Sequence, residues 1–195
     1  MSINKKIDYH PNFYAGNYYH VYNRAVGKDK LFFNKENYKH FLRRYSYYLG
    51  DKLKTYSFCL LPNHFHMLVS PILNDSEVIT EQFRKFFISY SLSINFQQKR
   101  KGNLFQSNFK RKIIDDESYL IQAVNYIHAN PMHHNIMNDF KNYKYSSYKK
   151  LISNNITRLK RAEVLSWFNG RDNFIEYHSK TRNNVFTESF AIEDD

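Results

Sequence analysis

Residues 54–70 read KTYSFCLLPNHFHMLVS, and their reading decides the fold. Two strand-like runs, KTYSFCLL (54–61) and HFHMLVS (64–70), flank Pro62-Asn63, a dipeptide that favours a turn, so the stretch predicts a β-hairpin. Side chains alternate across a strand, which sends His64 and His66 to one face and Phe65, Met67 and Val69 to the other. One face of the second strand is core; the other carries two imidazoles. Nine histidines in 195 residues produce such a pair by composition about 0.4 times, so the pair acquires meaning only from the rest of the chain.

Working outward, NYYHVYNRAV (17–26) is aromatic and β-branched and reads as a first strand. NKENYKHFLRRYSYYL (34–49) follows with Asn34 as N-cap and Tyr38, Phe41, Leu42, Tyr45 and Leu49 at helical spacing. Past the hairpin, residues 76–98 predict a second helix, capped by Ser76, with Val78, Phe83, Phe86, Phe87, Tyr90 and Ile94 on its apolar stripe. A basic loop leads to a short strand at 111–114, and DDESYLIQAVNYIHAN (115–130) predicts a third helix with acids in its first turn. Pro131 disfavours helical geometry at Asn130, so this helix is expected to end there.

The order β-α-β-β-α-β predicts an α+β fold, a ferredoxin-like antiparallel sheet with helices on one face and a C-terminal helical extension. Residues 1–150 form the expected domain and 151–195 the extension. Beyond Pro131, KNYKYSSYKKL (141–151) reads as a surface segment entering a short helix, RAEVLSWFN and NFIEYHSKTR as small helices or partner elements, and the acidic tail ESFAIEDD as frayed.

Composition narrows the partners. The chain holds 29 Lys+Arg against 18 Asp+Glu, a net charge of +11, which favours a polyanion through phosphate neutralisation and counterion release. Its 17 Tyr and 17 Phe supply rings able to stack on unpaired bases, although most must pack the core. Cys59 is the single cysteine, so neither an intramolecular disulfide nor a cysteine-based zinc site is available, and a reducing, cytoplasmic setting is expected. The N-terminal residues contain no apolar export core, and no run is long enough to span a membrane.

The chemistry is signalled by YIHAN (126–130), where Tyr126 and Asn130 stand one helical turn apart. If this helix packs beside the strand bearing His64 and His66, one pocket holds two imidazoles, an amide oxygen and a phenol. Such a set suits a divalent cation with open positions for phosphate oxygens, and a nucleophile beside it. Tyrosine, with a free pKa near 10, needs a polarised phosphate or a base to attack. A phosphotyrosine product retains the energy of the phosphodiester, so a second hydroxyl can rejoin the strand without a nucleotide cofactor. Each assignment has an ordinary counterpart: satisfied sheet histidines, a packing tyrosine, and an asparagine that caps its helix.

Four motifs in order resemble the single-tyrosine HUH transposases (the IS200-like transposase domain), and especially the REP-associated tyrosine transposases: PNHFHMLV (62–69), LFQSNF (104–109), YIHANP (126–131) and YKYSSY (143–148). The resemblance covers most of residues 14–150. It implies metal-dependent cleavage and joining of single-stranded or hairpin DNA, with Mg²⁺ or Mn²⁺ held by His64, His66 and Asn130. By the same resemblance Tyr126 is the nucleophile that forms a 5′-phosphotyrosine, and the protein is a monomer or homodimer. The basic runs Lys99-Arg100-Lys101 and Lys110-Arg111-Lys112 are the candidate phosphate contacts. Two other readings are a hairpin-binding protein of the same lineage that no longer transposes, and a metal-dependent nuclease that uses water.

Overall fold

The computed structural model describes residues 8–180. Its elements are β1 (Tyr18–Arg24), α1 (Lys35–Leu49), β2 (Leu53–Leu61), β3 (His64–Pro71), α2 (Ser76–Gln97), β4 (Lys110–Ile114) and α3 (Glu117–His133). A 3-10 turn at Phe140–Asn142 and the helices α4 (Tyr148–Ile152), α5 (Arg161–Trp167) and α6 (Arg171–Ser179) follow. The strands form one antiparallel sheet in the order β2-β3-β1-β4, the ferredoxin-like arrangement that the sequence predicts.

Local chemistry explains the elements that read clearly. At α1 the Asn34 side chain accepts from the N–H groups of Glu36 and Asn37, and the Asn37 side chain returns to the Asn34 N–H, a reciprocal cap. Tyr38, Phe41, Tyr45 and Leu49 are buried as one stripe. In α2 the expected stripe of Phe83, Phe86, Tyr90 and Ile94 is buried, but its first member is Ile79, with Val78 exposed, and the cap is Asp75 rather than Ser76, accepting from Val78 N–H at 2.9 Å. Ile79 stands four residues before Phe83 and so shares its face with Phe86, Tyr90 and Ile94, whereas Val78, five before, turns away from it.

The sheet separates two cores. On one face Tyr19 and Val21 of β1 and Phe65, Met67 and Val69 of β3 pack with α1 and α2. On the other, Leu68, Cys59, Leu61 and Ile114 pack with α3 to α6. The helices thus cover both faces, α1 and α2 on one, α3 and the extension on the other. A register irregularity in β2 between Thr55 and Ser57 changes which side chains face which core. Leu53 lies in the α1/α2 core and Tyr56 in the other, while past the irregularity Phe58 and Leu60 return to the α1/α2 side.

Two further expectations need correction. Helix α3 does not stop at Asn130 but runs through Pro131 to His133. Proline removes only its own N–H bond, to the Ile127 carbonyl, while His134 N–H still donates to Asn130 O at 3.0 Å. Residues 141–151 are not a surface segment, because Tyr143, Ser146, Ser147 and Tyr148 are buried. There the chain zips along the outer edge of β2: Leu60 N–H donates to Tyr145 O at 3.0 Å and Ser147 N–H to Phe58 O at 2.9 Å. That pairing covers an edge that would otherwise present unpaired backbone groups. The helical extension likewise contributes Val164, Phe168 and Phe174 to the α3 core, and its tail ESFAIEDD lies outside the described residues.

Candidate active site

Register and parity build the site on the α3 face of the sheet. β1 and β3 pair with Tyr22 opposite His66 and Arg24 opposite His64, so rings from both strands meet. His20, Tyr22 and His66 lie face to face, with centroids 5.0 to 5.7 Å apart. Tyr126 of α3 stands edge-on to His20 and His66, each at 5.8 Å. His64 lies 5.1 Å from His66. The structure therefore gathers His64, His66 and Tyr126, and α3 sets Asn130 one turn beyond.

Asn130 does not cap the helix, since the C-cap is His134. Its amide nitrogen donates to the Tyr126 carbonyl at 2.9 Å, and its carbonyl oxygen is buried with no hydrogen-bond partner. His66 has the same character: Nδ1 meets His20 Nε2 at 2.9 Å, and Nε2 is buried without a partner. Burial, together with the neighbouring His20, His64, His134 and His133, holds the His66 pKa well below the usual imidazole value and keeps the ring neutral. In the tautomer that donates Nδ1–H to His20, the lone pair points from Nε2, the arrangement a metal-binding histidine needs.

His64 Nδ1–H donates to Asn63 Oδ1 at 2.8 Å, leaving Nε2 as the acceptor, and His134 Nε2 sits 3.1 Å from it. A cation on His64 Nε2 would replace that contact. Among the described residues no group of three or more His, Cys, Asp or Glu side chains is gathered to hold a metal. A set of two imidazoles and one amide oxygen falls outside that class, and two of its three donors are buried without partners, so the residues fit a divalent cation.

A small cleft of about 70 Å³ opens over the histidines, lined by Tyr22, Arg24, His64, His66, Gln106 and Lys110 among others. Tyr126 is only 1% exposed and is absent from its lining. The basic runs divide. Lys110 reaches the cleft, its ammonium 5.2 and 5.9 Å from the Tyr9 and Tyr22 rings. Lys112, opposite His20 in the β1–β4 register, shares that face, whereas Arg111 points the other way because the strand alternates.

Arg111 is 7% exposed, its guanidinium donating to the Pro11 and His10 carbonyls and lying 4.5 Å from the Phe13 ring. It anchors the N-terminal arm instead of meeting solvent. Arg100 is likewise spent, on Asp29 and on Asn95 Oδ1. Lys99 and Lys101 remain exposed.

Helix α3 is fixed by a buried relay. Phe58 N–H donates to Ser147 Oγ at 2.9 Å, and Ser147 Oγ lies 2.7 Å from His128 Nε2. His128 Nδ1 lies 2.9 Å from His178 Nε2, and His178 Nδ1 donates to Phe174 O at 2.8 Å. With both rings neutral, the accepting carbonyl sets the polarity: His178 accepts from His128, which accepts from Ser147. This joins β2, the YKYSSY segment, α3 and α6 between Tyr126 and Asn130 on the chain. Sequence reading did not single out His20, His134 or this relay as part of the site; no local spacing marks them, and only strand register and helix packing bring them in.

No protein-family model matches the chain. A curated Haemophilus influenzae protein described as a REP-associated tyrosine transposase is 28% identical over 105 residues, which are 50% of this chain and 60% of that relative. The chain thus spans less than two thirds of the relative's length. Among solved structures, a REP-associated tyrosine transposase bound to a REP hairpin superposes with a TM-score of 0.65 at 15% identity, covering 79% of this chain and 87% of the other. That likeness is one of fold. In sequence over those 105 residues, and in fold and sheet order over most of the described chain, the protein is similar to REP-associated tyrosine transposases.

Proposed function

We propose that this protein cleaves and rejoins single-stranded DNA at hairpin-bearing sites, with Tyr126 as nucleophile and His64, His66 and Asn130 as ligands of Mg²⁺ or Mn²⁺. The observation that carries the reading is the pair of partnerless buried acceptors, His66 Nε2 and Asn130 Oδ1, placed around the Tyr126 helix turn. Leaving such atoms unsatisfied is costly unless something else meets them. The cation, when bound, neutralises charge on the scissile phosphate.

The chain's own residues supply the rest. His20 orients the His66 ring, and Lys110 and Arg24 bring positive charge to the cleft where a phosphate would lie. As the Tyr126 Oη–phosphorus bond forms, the phenol loses its proton, the P–O3′ bond breaks and the leaving 3′ oxygen takes up a proton. The result is a 5′-phosphotyrosine that a second 3′-hydroxyl can reverse. Because the Tyr126 ring is buried and outside the cleft lining, attack requires α3 to present its hydroxyl to the cleft.

The same burial favours one second reading, a metal-dependent nuclease in which water attacks and Tyr126 packs. Incubation with hairpin-bearing single-stranded DNA and Mn²⁺, followed by a denaturing gel, separates them. A covalent adduct in the wild type that is lost in Tyr126→Phe is the expected result. Cleavage without adduct, undiminished in Tyr126→Phe, would overturn the tyrosine mechanism in favour of water.

A further inference from the structure

A cleft of about 690 Å³ lies at the β2 edge, on the face of the sheet away from the histidines. Its floor is Leu53, Phe58 and Met67, members of the α1/α2 core, and one wall is α1 with Leu42 and Tyr45. The other wall is formed where the returning chain leaves β2. It pairs through Ser147 N–H to Phe58 O, departs through α4 and residues 153–159, and rejoins through Lys160 N–H to Thr55 O at 2.9 Å.

The excursion is braced. Arg161 Nη2 donates to the carbonyls of Lys150 and Asn155, at 2.8 and 2.5 Å, and Arg158 crosses to Ser46 Oγ on α1. The cleft is thus a built feature of the fold.

Its chemistry is one-sided. Lys149, Lys150, Arg158 and Arg161 line it and no Asp or Glu does. The Lys150 ammonium stands 5.5 Å from the Phe58 ring, between floor and mouth. Past Arg158 the surface continues into a shallow depression lined by Lys39, Leu42, Arg43, Ser46, Tyr47 and Arg158, again without an acid. Lys39 there is paired with Glu36. Tyr47 is 74% exposed, its ring flanked by the Arg44 guanidinium at 5.2 Å. A basic groove with an apolar recess and an open aromatic ring matches an unpaired nucleic-acid strand, with phosphates on the cations, a base in the recess and another on the ring.

We propose that this groove binds single-stranded DNA, separately from the cleft over the histidines. The inference rests on the proposed function for the identity of the nucleic acid, and adds a second contact to it. The test uses the full chain and three probes: a fluorescent oligothymidine, an abasic oligomer of the same length, and a blunt hairpin without unpaired flanks. A variant carrying Tyr47→Ala, Lys150→Gln and Arg158→Gln, checked for an unchanged melting curve, should bind oligothymidine about tenfold more weakly and the blunt hairpin as wild type does.

Wild type should bind the abasic oligomer about tenfold more weakly than oligothymidine, since the recess and Tyr47 hold bases. Equal oligothymidine affinity in variant and wild type would overturn the proposal, as would equal affinity for the abasic oligomer or a parallel loss on the blunt hairpin. If the variant alone loses oligothymidine while the wild type forms no adduct with hairpin DNA, the groove stands and the tyrosine mechanism falls.

Discussion

His178 makes the stability of this protein depend on pH in a calculable way. Its ring is buried among Tyr148, Phe168 and Phe174, and that burial lowers its pKa from the ordinary 6.5 to about 3, against the raising effect of the Phe174 carbonyl. Between those values the unfolded chain binds a proton that the native state refuses, so stability is fully present above about pH 6.5 and lost as pH falls below it. At pH 5 the loss is about 1.5 units at 1.36 kcal/mol each, about 2 kcal/mol from His178 alone. His128 is shifted in the same direction by the same burial, first, and by His178.

For a chain of this length, about 2 kcal/mol corresponds to a fall in Tm of about 4 to 8 °C. His178→Gln retains an acceptor for His128 Nδ1–H but cannot titrate, so it should be less stable than wild type at pH 7 and should lose less on going to pH 5. Chemical denaturation at several pH values measures both slopes. Parallel slopes for wild type and His178→Gln, or an NMR titration of His178 near pH 6.5 in the native state, would refute the reasoning.

The remaining predictions concern the cation and the basic residues. Asn130→Ala should raise the Mn²⁺ concentration needed for cleavage, whereas Asn130→Asp keeps an oxygen, adds a charge and should preserve or tighten metal binding; identical Mn²⁺ titrations for all three proteins would remove Asn130 from the site. Arg111→Ala should cost about 3 kcal/mol of stability, because it strips a buried, hydrogen-bonded cation from the N-terminal arm, and should leave the salt dependence of DNA binding unchanged. Lys110→Gln should do the reverse, lowering the slope of log affinity against log salt by up to about one with little change in melting; a slope unaffected by Lys110→Gln would assign that side chain to the solvated surface.

Much of this protein was decided locally. The Pro62-Asn63 turn and the two-residue period of β3 were enough to put His64 and His66 on one face and Phe65, Met67 and Val69 on the other, because strand parity is a property of the backbone. Asn34 could be read as a cap for the same reason, its hydrogen bonds lying within three residues. What tertiary structure alone decided involves partners far apart in sequence. The β1–β3 register brought His20 to His66, helix packing brought His134 to His64, and the Ser147–His128–His178 relay closed across three segments. Helix α3 passes Pro131 because its last turn packs and bonds beyond the proline. Arg111 shares a basic run with Lys110 but is buried, because alternation turned it toward the N-terminal arm, where backbone carbonyls took up its donors.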